Sequence, residues 1–170
     1  MSSAEEGYVP SHPDLFIVNF KPGGFLSSLV AQKSFVSGEV IARLEGLTAG
    51  PKAYTSVQYG PGPNDHVELN SDLVYVNHSC EPNVAFDMSS SDRSEWNVRA
   101  LKPVDEGDAL TFFYPSTEWS MEQTFDCFCS APTCLKRVGG AASLSREDLL
   151  AREYVSPWIL ASIAKRDSTQ

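Results

Sequence analysis

Val76-Asn77-His78-Ser79-Cys80-Glu81-Pro82-Asn83 sets an amide, an imidazole, a hydroxyl and a thiol side by side in four consecutive residues. The apolar run Leu73-Val74-Tyr75-Val76 leads into it and Pro82 follows. Together they predict a buried strand over Asp72 to Val76 that runs out into a polar turn. Turns held on a rigid scaffold are a common place for chemistry. The same stretch contains Asn77-His78-Ser79, an Asn-x-Ser glycosylation acceptor, which asks only for a loop in a secreted protein. The rest of the chain has to separate the two.

At 170 residues the chain has the size of one domain with a real core, and 42% hydrophobic residues make it globular rather than disordered. No apolar run is long enough to span a bilayer, so no membrane partner is expected. Met1 to Glu6 is acidic and lacks an apolar stretch, so we expect no secretory signal and an unused sequon at Asn77. The expected location is intracellular, in nucleus or cytoplasm, where thiols stay reduced and the four cysteines are not a disulfide framework. A formal net charge of -9 disfavours phosphate-backbone binding, which rests on clustered Lys and Arg, so no direct nucleic-acid partner is expected. The acidic balance suits a Lys-rich partner and equally suits plain solubility. The chain is expected to act as a monomer.

The flanking pattern is that of many short strands. Residues 1–14 read as a loose polar arm. Leu15 to Phe20 reads as a strand, Lys21-Pro22-Gly23-Gly24 as a turn, and Val40 to Leu44 as a strand. Ala49 to Asn64, rich in proline and glycine, reads as mostly loop before a short strand at Val67 to Leu69. Val84 to Met88 and Glu95 to Leu101 form a hairpin around the polar loop Ser89 to Ser94, with Trp96, Val98 and Ala100 on one face. Ala109 to Tyr114 is a dense β-type run stopped by Pro115. Near the C-terminus Ser145 can cap a helix whose first turn carries Glu147 and Asp148, with Leu149, Leu150 and Tyr154 as its apolar face. Pro157 breaks it before a second helix near Trp158 to Lys165.

Cys127-Phe128-Cys129-Ser130-Ala131-Pro132-Thr133-Cys134 is C-x-C-x-x-x-x-C. A tetrahedral structural zinc takes four such ligands, and the one other cysteine of the chain is Cys80, in the Asn77-His78 turn. One Zn2+ bound by Cys80, Cys127, Cys129 and Cys134 leaves no thiol over. It would clip the segment after Tyr114 back over that turn.

Asn-His-Ser-Cys-x-Pro-Asn, then Glu106-Gly107-Asp108-Ala109-Leu110-Thr111-Phe112-Phe113-Tyr114, then the cysteine cluster, resembles a SET-domain protein-lysine methyltransferase with a post-SET zinc segment. The resemblance runs over roughly Phe25 to Val138 and includes the Gly38-Glu39-Val40-Ile41 turn and strand. It implies a mainly β fold with short helices, the SET (β-clip) fold, in which the two motif segments form a pseudoknot. The division it implies is a SET domain at 15–120, a post-SET zinc segment at 121–140 and a C-terminal helical extension at 141–170. It implies S-adenosylmethionine as methyl donor and a lysine-containing protein or peptide as acceptor. By resemblance Asn77 and His78 are the donor-binding pair, Tyr114 is the catalytic tyrosine, and Phe112 tunes how many methyl groups are added. Phe128 and Leu135 are walls for the donor's adenine. Phe112, Phe113 and Tyr75 line an aromatic substrate channel that sheds water and tolerates a cation.

Three positions depart from the family pattern. Leu26-Ser27-Ser28 stands where the family has a Gly-x-Gly that lets backbone approach the donor, and these three residues are read as the equivalent part of the donor site. Val74 replaces an arginine, and Phe113 replaces an acidic residue before the tyrosine. Three functions therefore stay open: a lysine methyltransferase, a SET fold that binds donor or peptide without turnover, and a SET fold recruited to another chemistry on a small molecule, such as its modification or cyclisation.

Overall fold

Strand pairing is scattered through the chain in small sheets rather than gathered in one. The computed structural model describes residues 7–23 and 25–169; the acidic Met1 to Glu6 and Gly24 of the expected turn lie outside the described residues. The strands are β1 (Phe16–Asn19), β2 (Ser28–Ala31), β3 (Val40–Arg43), β4 (Thr48–Ala49), β5 (Ser56–Gln58), β6 (His66–Glu68), β7 (Asn77–His78), β8 (Val84–Asp87), β9 (Asn97–Ala100), β10 (Thr111–Phe112), β11 (Phe125–Asp126) and β12 (Arg137–Val138). Two helices close the chain, α1 (Arg146–Leu150) and α2 (Pro157–Ser168). The mainly β architecture with short C-terminal helices is the one expected from the motifs. Antiparallel sheets are β1-β2, β4-β6-β5, β3-β9-β8 and β11-β12.

The β8–β9 hairpin centres the main core. Its register sets Phe86 against Val98 and Val84 against Ala100, and all four have no exposed surface. Leu29, Val104 and Leu110 are equally closed off around them. Burying each such Val, Leu or Phe contributes roughly 1.5–3 kcal/mol relative to leaving it in water.

β7 and β10 form the one parallel pair among the described strands, with Asn77 opposite Thr111 and Phe112 opposite His78. A parallel pair needs a long crossover, and here the β8–β9 hairpin supplies it. The last residue of the first motif staples the second: Asn83 Oδ1 accepts from the Thr111 N–H at 2.8 Å and its Nδ2 donates to Ala109 O at 3.0 Å. Ser79 N–H adds a bond to Phe112 O.

Several local expectations are corrected. Asp72–Tyr75 is a turn of 3-10 helix, not a strand. A period of three puts Leu73 and Val76 inward, each 2% exposed, and Val74 outward. Asp72 is buried because the described part of the arm pins it: Tyr8 OH and the N–H groups of Ser11 and His12 donate to its carboxylate. That part of the arm is thus tied to the fold rather than loose. The stretch read as loop at Ala49 to Asn64 holds β5, whose Ser56, Val57 and Gln58 are all buried. Its polar residues hid the strand: Ser56 bonds Ala53 nearby, and Gln58 bonds Glu118 and Trp119 far along the chain. Ala109 to Tyr114 contributes only Thr111–Phe112 as strand, since Tyr114 opens a 3-10 turn with Pro115 in its first positions. Ser145 caps α1 with a capping box to Asp148, as its sequence predicts, but α1 ends at Leu150, which is 56% exposed. Tyr154 lies beyond it and donates to Asp87 Oδ1.

Candidate active site

The parallel β7–β10 pair delivers Asn77, His78 and the turn at Tyr114 to one place. Asn77 donates its amide to Ser27 O at 2.9 Å, so the Leu26-Ser27-Ser28 segment does close on the motif although it lacks glycines. Among the described residues the Asn77 side-chain oxygen has no partner, which leaves an acceptor for a polar ligand. His78 Nδ1 accepts from the Tyr114 N–H at 3.2 Å, so the proton of the neutral ring sits on Nε2, 3.3 Å from Cys80 Sγ. Burial, and then the Arg152 guanidinium, push the His78 pKa down to about 4, which keeps the ring neutral. With both ring nitrogens engaged, His78 can meet a donor molecule only through its ring face or main chain.

Tyr114 stands at the other side of that ring, with centroids 5.1 Å apart in an edge-on contact. Its hydroxyl donates to Val76 O at 3.4 Å, and burial followed by the charge of Glu118 pushes its pKa up to about 12. The tyrosine is therefore a neutral hydroxyl beside a backbone carbonyl, a pair suited to orienting an amine. Phe112 is buried between Phe86 and Tyr114, at 4.5 and 4.6 Å between ring centroids.

The four cysteine sulfurs all lie within 4.8 Å of one another, and Cys80 Sγ is 4.0 Å from Cys127 Sγ. Tetrahedral zinc with bonds near 2.3 Å sets its sulfur ligands roughly 3.8 Å apart, so the donor set fits that ion in type, number and spacing. Burial raises the thiol of Cys80. At Cys129 burial is outweighed by hydrogen bonds, first from the Ala131 N–H, which pull the thiol down to about 6. One residue from the C-terminal extension locks this segment. Arg152 Nη1 donates to Cys80 O at 2.7 Å and Thr133 Oγ1 at 2.9 Å, Nη2 donates to Thr133 O, and the guanidinium lies 4.7 Å above the Phe113 ring.

Not every expected residue joins the site. Phe113 follows β10 and turns its ring into a second core with Ala141, Leu149, Val155, Ile159 and Ile163, 5.8 Å from the His78 ring. It does not line a channel beside Phe112. Tyr75 packs edge-on against Phe20 and Tyr8, in the arm's aromatic cluster. Leu135 is half-buried between the cysteine segment and the C-terminal core, and its N–H donates to Cys80 Sγ. Phe128 is 88% exposed and touches none of them as an aromatic wall, while Leu26 is also exposed. Phe125, and not Phe128, sets its ring edge-on to both His78 at 5.6 Å and Tyr114 at 5.9 Å. Position two before Cys127 was its only signal in the sequence. Arg152 and Glu118, which lie outside the motifs, gave none.

Comparison with known proteins bears on the family. The family model described as SET domain matches residues 27–115, just over half of the chain. Methyltransferase flvH of Aspergillus flavus is 39% identical over 161 residues, covering 94% of this chain and 87% of that protein. The H3 lysine-36 specific histone-lysine N-methyltransferase of Candida albicans is 33% identical over 77 residues, which is 45% of this chain but 9% of that protein. Among solved structures, KRYPTONITE in complex with mCHG DNA and SAH superposes with a TM-score of 0.51 at 19% identity, over 69% of this chain and 28% of that one, and bears on the fold alone. The chain belongs to the SET-domain family of methyltransferases.

Proposed function

We propose that this chain is an S-adenosylmethionine-dependent N-methyltransferase, acting inside the cell on a lysine side chain of a protein. The observation that carries it is the β7–β10 register, which brings the free Asn77 carboxamide oxygen, the neutral His78 ring and the Tyr114 hydroxyl together beside four clustered thiols. Asn77, the main chain at His78, the Ser27 segment and Phe125 would hold the donor, which supplies an electrophilic methyl on a sulfonium. The chain's own work is positioning: Tyr114 OH and Val76 O orient the acceptor nitrogen, and Phe112 and Phe86 keep that end dry. Holding two reactants in line in this way supplies much of the catalysis in a displacement. Zn2+ on Cys80, Cys127, Cys129 and Cys134 would serve as a structural clip, with no ligand position left for substrate.

A second reading, methyl transfer to the amine of a small molecule, has its own support. The relative matched over nearly the whole chain carries a name that specifies no protein substrate, whereas the histone enzyme matches less than half of it. One experiment separates the two. Donor binding is measured by calorimetry, and labelled S-adenosylmethionine is then incubated with the protein plus histones, lysate proteins, or a small-molecule extract. Label on protein lysine supports the first reading, and label confined to the small-molecule fraction supports the second. A protein that binds no donor is neither.

A further inference from the structure

Glu118 is a carboxylate that the family motifs do not include, and the fold places it with care. The turn that Tyr114 opens brings it back: the N–H groups of Thr117 and Glu118 both donate to Tyr114 O, at 3.1 and 3.0 Å. One carboxylate oxygen, Oε1, is fixed by the Gln58 N–H of β5 at 2.9 Å, with the Thr117 hydroxyl at 3.4 Å. Gln58 holds the same segment a second time, since its Oε1 accepts from the Trp119 N–H at 3.0 Å. Glu118 O accepts from the Ala141 N–H, so the C-terminal extension braces it from a third side. The second carboxylate oxygen, Oε2, has no hydrogen-bond partner among the described residues. This leaves a carboxylate with one oxygen engaged and one free, whose charge acts on the Tyr114 hydroxyl.

We propose that Glu118 is the proton acceptor of this site, taking from the incoming ammonium the proton it must lose before its nitrogen can accept a methyl group. This rests on the methyltransfer reading above. In the step an N–H bond of R–NH3+ breaks, an O–H bond forms on Oε2 directly or through one water, and the electron pair stays on nitrogen. The products are a neutral amine and a neutral carboxylic acid, which afterwards returns its proton to solvent. The exposed lone pair is what attack on a sulfonium methyl requires.

The surroundings suit the role. Burial pushes the Glu118 carboxyl up to about 7, against the hydrogen bonds from Gln58 and Thr117 and the positive charge of Lys52, which favour the anion. Lys52, held by Ser120 Oγ at 2.8 Å, faces it from the loop before β5, Tyr114 faces it from its own turn, and His66 of β6 faces Lys52. Burial lowers His66 below the ordinary imidazole value and takes His78 down to about 4. A carboxylate that titrates near neutrality matches the operating pH of a general base.

The test is the pH profile of kcat/KM for whichever amine acceptor takes label, beside an NMR titration of protein labelled at the glutamate carboxyl carbons. Expected for the parent is an acidic limb centred near pH 7, with activity falling about tenfold per pH unit below it, and one glutamate carbon titrating with the same midpoint. Glu118→Gln keeps an oxygen for the Gln58 N–H. It should lose that limb and that resonance, and lose roughly 100-fold or more in activity at pH 8 with donor affinity unchanged. Lys52→Met leaves Glu118 in place and should move the limb to higher pH, which keeps the proposal testable if Glu118→Gln folds poorly. An unchanged limb in Glu118→Gln, or a Glu118 carbon that titrates in the ordinary carboxylate range, overturns the proposal while leaving methyl transfer standing. Parent protein that methylates no amine overturns both.

Discussion

The β7–β10 crossing and the cysteine segment that covers it are held by different means. At the crossing, main-chain bonds, the Asn83 staple and the buried side chains of Leu110 and Phe112 hold the two strands together. The cysteine segment has two-residue strands and a small apolar cluster whose buried members are Cys80, Cys127 and Val138. Its exposed Phe128 adds nothing to that core. One arginine ties it down, and a zinc on its four sulfurs would complete the hold. The first region is stabilised by burial, the second by cross-links. The expectation is a stable floor and a cover that detaches without melting the rest.

The largest expected effect detaches the cover. Structural zinc sites of this kind carry on the order of 10–16 kcal/mol of binding free energy, which is local folding energy. One zinc per chain is expected by metal analysis. Chelation, or Cys129→Ser, should free residues 121–140 to rapid hydrogen exchange while the β8–β9 hairpin keeps its protection. Metal-free protein as purified, with that segment still protected, would remove zinc from the account. Equal loss of protection in both regions would show the two to be one cooperative unit.

Effects at the floor should be chemical rather than structural. On the proposed function Tyr114→Phe removes the hydroxyl that orients the acceptor nitrogen, so turnover should fall roughly 100-fold or more, by analogy with deleting one preorganised donor elsewhere. Donor affinity should stay nearly unchanged, because the hydroxyl bonds Val76 O and not the donor segment. Comparing kcat with a calorimetric Kd checks both halves. His78→Ala comes next. It strips the Tyr114 N–H of its acceptor in a buried position, which costs about 1–3 kcal/mol, read as weaker donor binding together with a lower Tm. Donor binding equal to the parent's would confine His78 to a folding role.

The same contrast explains what could be read in advance. The floor was legible because its determinants are contiguous: Asn77, His78 and Asn83 sit in one motif, Thr111 to Tyr114 in another, and β8 and β9 alternate visibly. The four thiols were legible because a soft ligand set announces itself by residue type alone. Determinants that act across long separations were not. Glu118 meets Gln58, Arg152 meets Cys80, and Tyr8 meets Asp72, each over sixty or more residues. No local period marks such pairs. Two errors came from local geometry. In a strand Leu73 and Val76, three residues apart, would face opposite ways, whereas the 3-10 turn buries both. Phe113 was grouped with Phe112 although neighbours on a strand face opposite ways.

The smallest predicted effect tests whether the cover depends on a shape or only on a charge. Arg152 reaches four acceptors from one planar group: Cys80 O, Thr133 Oγ1, Thr133 O and, through Nε, Asp148 O at 3.2 Å. Its flat face also rests on Phe113. A lysine at this position keeps the positive charge but concentrates it on one tetrahedral nitrogen, which cannot serve Cys80 and Asp148 together or stack on a ring in the same way. Arg152→Lys should therefore lose about 1 kcal/mol of stability, the scale of a single net hydrogen bond, with the loss concentrated in the cover. Hydrogen exchange at residues 133–135 should quicken while β7 and β10 are unmoved, and donor should dissociate faster. If Arg152→Lys behaves as the parent and Arg152→Ala does not, charge alone holds the segment. If neither variant differs from the parent, the four sulfurs hold it by themselves, and the C-terminal extension is a passenger at this site.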